Sequence, residues 1–270
     1  MNTVDKCAIP FLKWAGGKRW ILKSNTELFN LKFNKYIEPF LGSGAVFFHL
    51  KPIVSVVSDI NEDLINTYIA LRDDWPLVYL LLEQHGKNHS IDHYYSIRDI
   101  TVDCRFAKAA NFIYLNRTCW NGLYRVNRKG KFNVPIGTKT KVILDSDDFF
   151  SISSILKNAE ILNIDFEAVI DRADEGDLIF ADPPYTVKHD NNGFLKYNEK
   201  LFTWADQVRL KDALLRAVGR GAKFILTNAN HESINELYDF DCKKIIIERS
   251  SVLSGKSEFR GRVNELIVMG

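Results

Sequence analysis

With 270 residues, 46% of them hydrophobic and 26% charged, the chain is long enough for one large core, or a core with one insertion, and its composition is that of a globular protein. No run of 18 apolar residues occurs, and the N-terminus lacks the basic, apolar and small-residue pattern of a signal peptide, so a soluble, cytoplasmic protein is expected. The net charge of +2 is unevenly spread: nine of the 36 Lys and Arg fall between Cys104 and Leu144, a stretch without Asp or Glu, leaving 27 basic against 34 acidic side chains elsewhere. A cationic stretch on an otherwise acidic chain is the footprint of a polyanionic partner.

The four cysteines, Cys7, Cys104, Cys119 and Cys242, show no C-x-x-C spacing, which argues against a zinc site and a disulfide framework. They are expected to be reduced core thiols. In chain order, Phe11-Leu12-Lys13-Trp14-Ala15-Gly16-Gly17-Lys18 comes first. Its paired glycines allow close backbone approach to a ligand, flanked by a stacking face at Trp14 and a cation at Lys18. It is not a Walker loop, because no earlier glycine stands at the needed spacing and Arg19 follows the lysine.

A short strand, Tyr36-Ile37-Glu38, leads through Pro39-Phe40-Leu41-Gly42-Ser43-Gly44 into a helix over 45–50. Strand, glycine-rich turn and helix make a nucleotide-sized cradle, although Phe47 replaces the third glycine of the dinucleotide fingerprint. A second strand over 53–57 ends near Asp59, 21 residues beyond Glu38, where an acidic residue commonly holds ribose hydroxyls. The pattern fits an adenosine-containing cofactor and does not require a diphosphate. A helix is predicted over 62–71.

Residues 75–144 interrupt the alternation of strand and helix. Helices are predicted over 76–84 and 105–115, and a hairpin over 124–135 turning near Arg128-Lys129-Gly130-Lys131. His85, His89 and His93 fall at i, i+4 and i+8, and are expected to be solvated rather than metal-bound. Trp120-Asn121-Gly122-Leu123-Tyr124-Arg125 places aromatics, an amide and an arginine at a tight turn inside the acid-free stretch. Arginine can read guanine bidentately, and apolar side chains can wedge into a base stack.

Alternation resumes with a strand over 160–163 ending at Asp165-Phe166, a short helix to Ile170, and the run Leu178-Ile179-Phe180-Ala181-Asp182-Pro183-Pro184-Tyr185. The last of these reads as a parallel strand, buried on both faces, that delivers a rigid polar turn at its carboxyl end, where open α/β sheets bind ligands. The prolines fix the turn, Asp182 accepts hydrogen bonds and Tyr185 offers a flat face. Such a turn suits a planar substrate carrying an amine: Asp182 and the Pro183 carbonyl each take one amine hydrogen while Tyr185 stacks on the ring. A polar flap over 186–200, a capped helix from Thr203 to about Val218, a strand over 224–226, a helix over 232–238 and strands over 243–248 and 263–269 complete the chain, with a basic loop over 250–262.

Taken together, FLKWAGGK, EPFLGSG, SDIN and DPPY, with NGLYRVNRKGKFNVPIG in the insertion, resemble the DNA adenine methyltransferase (Dam) family over essentially the whole chain. The resemblance implies a Rossmann-like α/β methyltransferase sheet, formed by residues 1–74 and 145–270, with an inserted helical and β-hairpin target-recognition domain over 75–144. It implies S-adenosylmethionine as cofactor, no metal, double-stranded DNA as partner, a monomer in solution, and methyl transfer to adenine N6, frequently within GATC, on a base flipped out of the duplex. By similarity, Trp14, Ala15, Gly16 and Lys18 line the cofactor pocket. Glu38, Phe40 and Gly42 cradle the cofactor, Asp59 holds its ribose, and Asp165 with Phe166 meets its adenine. Asp182, Pro183, Pro184 and Tyr185 carry the chemistry, and Asp182 also borders the cofactor. Trp120 and Asn121 match positions entering the duplex, Leu123, Arg125, Asn133 and Pro135 match the reading segment, and Lys139 is matched to the DNA surface. Arg260 and Arg262 fall in a similar closing basic loop. The D-P-P-Y turn by itself also suits RNA adenine, cytosine N4 or a protein amide, and a DNA-binding regulator without turnover is the reading from a different class.

Overall fold

The computed structural model describes residues 8–122, 124–127, 131–188, 202–250 and 262–270. Among them run helices α1 (Ile21–Ser24) and, after strand β1 (Tyr36–Glu38), α2 (Ala45–Leu50); then β2 (Ser55–Ser58), α3 (Glu62–Asn88), α4 (Ile91–Asp99) and α5 (Arg105–Thr118). Next come α6 (Phe149–Leu156), β3 (Ala159–Leu162), α7 (Phe166–Ile170), β4 (Leu178–Ala181), α8 (Trp204–Gly219), β5 (Lys223–Ala229), α9 (Glu232–Leu237), β6 (Lys243–Ser250) and β7 (Arg262–Met269). The strands form a seven-stranded sheet in the order β3-β2-β1-β4-β5-β7-β6. β1, β4 and β5 pair in parallel, whereas β7 runs antiparallel to both β5 and β6. This is a Rossmann-like methyltransferase architecture.

The chain divides into two compact units. One takes the chain up to Phe29, Leu41–Ser55 and Asp59–Asn163, and the other takes Asn30–Phe40, Val56–Ser58 and Ile164 onward. In the second unit the apolar run of β4 is buried at every position, as is β1, because parallel strands covered on both faces have no solvent side to carry polar residues. Leu178, Ile179 and Phe180 are each at most 1% exposed, so each contributes about 1.5–3 kcal/mol of apolar burial. α8 opens with the predicted capping box. The Asp206 N–H donates to the Thr203 hydroxyl, and the Thr203 N–H donates to the Asp206 carboxylate.

In the first unit the two helices predicted over 62–71 and 76–84 are both present, as the two segments of α3 that meet at a non-helical residue, Asp74 (φ −152°, ψ 74°). Asp74 leaves helical geometry to cap the second segment, its carboxylate accepting from the Leu77 N–H, and Pro76 sits in that new first turn where a missing N–H costs nothing. The bend is a local break, and α3 packs extensively on α5.

The histidines are half-buried and paired rather than simply solvated. His85 Nδ1 lies 3.0 Å from His93 Nε2, His89 Nδ1 lies 2.8 Å from the Tyr114 hydroxyl, and Tyr114 stacks on His85. Burial and the His93 charge lower the His85 pKa to about 4. No group of three or more side chains suited to hold a metal occurs among the described residues. Of the described cysteines only Cys119 is a core thiol: Cys104 is exposed and Cys242 half-buried. No helix among the described residues is long and apolar enough to cross a membrane.

Candidate active site and nucleic-acid surface

The D-P-P-Y turn leaves β4 at Ala181, which pairs with Leu226 of β5. One residue further on each chain, the Thr227 hydroxyl donates to Asp182 Oδ1 at 2.7 Å. The Tyr185 hydroxyl donates to Glu265 Oε2 on β7 at 2.9 Å, and Thr227 also neighbours the phenol. Desolvation, reinforced by the negative charges of Asp182 and Glu265, holds the Tyr185 pKa well above its ordinary value, so the phenol stays protonated and donates. Behind the turn, Gln207 Nε2 donates to the Thr186 carbonyl, Asn228 Nδ2 donates to Gln207 Oε1, and the Thr186 hydroxyl donates to the Phe202 carbonyl. The expected flap over 186–200 lies mostly outside the described residues, as do most of the loop over 250–262 and its Arg260.

The same unit brings together Phe40 and Phe166, two of the expected cofactor residues, whose rings stack at 5.3 Å, and adds Phe202, 5.6 Å from Phe40. Asp165 caps α7 by accepting from the Glu167 N–H and is paired with Arg209 at 2.8 Å. Glu38 is 2% exposed and accepts from the Tyr36 hydroxyl, whose pKa burial pushes well up.

In the other unit, Asp59 ties the glycine-rich turn to the start of α3. Its Oδ2 accepts from the Gly42 N–H at 3.0 Å and its Oδ1 from the Asn61 N–H at 2.9 Å. Burial raises the Asp59 pKa, and these backbone donors oppose the rise. Gly42 (φ +49°) faces Trp14 so closely that a Cβ there would lie 2.8 Å from the indole Cδ1, so only glycine fits. Trp14 is stacked in turn on Tyr124 at 5.4 Å and on Phe112. Lys18 is buried and its ammonium donates to the Gly16 carbonyl, closing the Gly-Gly loop on itself, with Ala15 exposed at its tip. A glycine floor under an indole, a buried ammonium and a hydrogen-bonded carboxylate suit an aminoacyl nucleoside: a carboxylate for Lys18, hydroxyls for Asp59, and a face for Trp14. Asp59 has two carboxylate oxygens with about four lone-pair sites, of which these backbone donors occupy two.

The end of α5 holds this loop in place. Asn116, fully buried, accepts from the Lys13 N–H and donates to the Lys13 carbonyl. Arg117 pairs bidentately with Asp147 and donates to the carbonyls of Val142 and Phe11. Beyond α5 the chain turns through Trp120, which is 55% exposed, and Asn121, in left-handed geometry (φ 58°). Gly122 (φ +65°) presses on the Lys13 stem, where a Cβ would meet Cδ at 2.3 Å. The Trp120 N–H donates to the Pro135 carbonyl, Cys119 pairs with Ile136, and Val126 pairs with Phe132. The expected hairpin is therefore held by single pairings rather than by strands. Exposed Arg125 donates through Nε to Asn133 Oδ1 at 3.3 Å, and Asn121, Asn133, Pro135 and Lys139 are exposed as well. Leu123 lies outside the described residues. Lys13 and Lys139 stand side by side, and burial together with the Lys139 charge lowers the Lys13 pKa. Lys139 of the acid-free stretch and Lys13 beside it make an anion-seeking pair.

The profile of the D12 class of N6 adenine-specific DNA methyltransferases matches residues 14–252. The chain belongs to that family. It is 38% identical to the type II methyltransferase M1.LlaDCHI of Lactococcus lactis subsp. cremoris over 99% of this chain and 98% of that protein. It is also 38% identical to the type II methyltransferase M.MjaIII of Methanocaldococcus jannaschii over 96% of this chain, and 31% identical to the DNA adenine methylase of Haemophilus influenzae over 96%. Within this D12 methyltransferase, the sequence reading missed Thr227, Glu265, Gln207, Asn228, Asn116 and Phe202. A signal for three of them was present: Thr227 and Asn228 follow the apolar run 224–226 and Glu265 precedes the apolar run 266–269, at 0%, 0% and 1% exposure. Buried polar side chains at strand ends are costly unless paired, and that cost marks them.

Proposed function

We propose that the protein transfers the methyl group of S-adenosylmethionine to N6 of adenine in double-stranded DNA, at GATC or a related site, on a base flipped from the helix. The observation that carries the reading is the D-P-P-Y turn set at the end of fully buried β4, with Asp182 held by Thr227. In this reading Asp182 and the Pro183 carbonyl accept the two amine hydrogens, turning the nitrogen lone pair toward the incoming methyl, and Asp182 stabilises positive charge developing on the amine. Tyr185 and Pro184 hold the base plane. S-adenosylmethionine would supply an already electrophilic methyl on a sulfonium and leave as S-adenosylhomocysteine while the amine gives up one proton, so orientation is the protein's main task and no metal takes part.

The same reading gives Trp14, Ala15, Gly16, Lys18, Glu38, Phe40, Gly42, Asp59, Asp165 and Phe166 to the cofactor. It gives Trp120, Asn121, Leu123, Arg125, Asn133, Pro135 and Lys139 to DNA, with 75–144 as the target-recognition part and 1–74 with 145–270 as the catalytic part of a monomeric enzyme. Unstacking a base costs a few kcal/mol, which wedging by Trp120 and stacking on Tyr185 offset. Competition between duplex DNA, RNA and protein acceptors for radiolabelled methyl tests the substrate: label is expected in adenine of duplex DNA, and label in RNA or protein instead would overturn the reading.

A further inference from the structure

We propose that Thr227 and Glu265 are positioning residues for methyl transfer. In this assignment Thr227 sets the rotation of the Asp182 carboxylate, and Glu265 sets the tilt of the Tyr185 ring. The inference rests on the methyltransferase reading above and deepens it.

The two prolines fix the backbone of the turn but leave the side chains of its first and last residues to rotate. The terminal torsion of an aspartate is broad, so a carboxylate that must meet an amine from one direction needs a second partner. Thr227 supplies it from β5. Its hydroxyl donates to Asp182 Oδ1 at 2.7 Å, its side chain is fully buried, and its β-branch allows little χ1 freedom in a strand. The donor is therefore stationary, and the carboxylate plane with it.

Glu265 does the corresponding work for the ring. It lies on β7 opposite Ala229 of β5, 1% exposed, and receives the Tyr185 hydroxyl at 2.9 Å. A buried carboxylate is costly to desolvate, and a hydrogen bond to a charged acceptor is about twice as strong as a neutral one. A ring pinned at its para position by such a bond has lost its swing about χ1. Because Thr227 also neighbours the phenol, Asp182, Thr227, Tyr185 and Glu265 form one chain of polar contacts across β4, β5 and β7. The geometry that the target amine and its ring meet is thus set by two strands that the motif itself does not include.

The test uses the full-length protein with S-adenosylmethionine and a duplex carrying 2-aminopurine at or beside the target adenine. Thr227→Val keeps shape and removes the donor; Thr227→Ser restores the donor; Glu265→Gln keeps an acceptor without charge. Misplacement of a reacting group by about 1 Å can cost roughly 100-fold in rate, so Thr227→Val is expected to lower the single-turnover rate by about 10- to 100-fold. KM for cofactor, affinity for DNA and melting temperature should stay at wild-type values, and Thr227→Ser should recover most of the rate. Glu265→Gln should alter the fluorescence of the extruded 2-aminopurine at unchanged DNA affinity. A Thr227→Val enzyme as fast as wild type would overturn the inference, as would equal losses in rate, affinity and stability, or a Thr227→Ser enzyme as slow as the valine variant. Wild-type protein inactive on every duplex would instead refute the methyltransferase reading itself, so the two failures are distinguishable.

Discussion

Around Asp182 the polar groups are turned inward: Thr186, Gln207, Thr227, Asn228 and Glu265 are each at most 1% exposed, and every one is paired. Between Cys119 and Gly137 the arrangement is reversed. Trp120, Asn121, Arg125, Asn133 and Pro135 are exposed, and what is fixed is the backbone, through Trp120 to Pro135, Gly137 to Thr118 and Tyr94 to Val134. In the function proposed above, the difference separates two tasks. Chemistry needs a few side chains in one geometry, which a satisfied buried network enforces. Recognition needs side chains that water can leave and a DNA edge can enter, so the frame is rigid and its exposed side chains can differ without cost to the fold.

The frame of the reading segment can be broken first. Arg117→Met would leave Asp147, whose side chain is 4% exposed, as a buried charge without its guanidinium, and the expected loss is about 3–5 kcal/mol of stability. Urea denaturation would check it, with Asp147→Asn as the partner substitution. On the chemical side, Asp182→Ala should lower turnover by roughly 100- to 1,000-fold while leaving duplex affinity nearly intact, because only the group facing the developing charge is lost. Methyl-transfer kinetics beside anisotropy titration would read both.

On the reading side the effects are smaller and change character. Arg125→Ala should relax discrimination at one base by about 1–3 kcal/mol, seen as a flatter ranking of substrate duplexes. Lys139→Ala should weaken all duplexes alike and reduce the slope of log affinity against log salt by about 0.9.

The histidine cluster gives a pH test. His85 titrates at about 4 in the folded protein, below the ordinary 6.5, so between those values the unfolded chain binds the extra proton and stability rises with pH. Acidification from pH 6.5 toward 4 should therefore lower the melting temperature, by about 2–4 °C for each kcal/mol lost. His85→Phe should flatten that part of the curve, with His93, Tyr114 and Asn111 the groups that face it.

Much of this was legible in the sequence because it is local. The apolar run closing on Asp182 and the Thr203 and Asp206 capping box are each legible from neighbours a few residues away. What escaped is non-local: Asn116 meets Lys13 across 103 residues and Tyr185 meets Glu265 across 80. No periodicity encodes such a pair. The boundary between the helices over 62–71 and 76–84 is local too: Asp74 leaves helical geometry and caps the segment that holds Pro76.

Methylation of a duplex containing a single target adenine, followed by nucleoside mass spectrometry, tests the central claim most directly. N6-methyladenine should form in the wild-type reaction with S-adenosylmethionine and form roughly 100- to 1,000-fold more slowly with Asp182→Ala. Methyl on cytosine, or an Asp182→Ala enzyme as active as wild type, would contradict it.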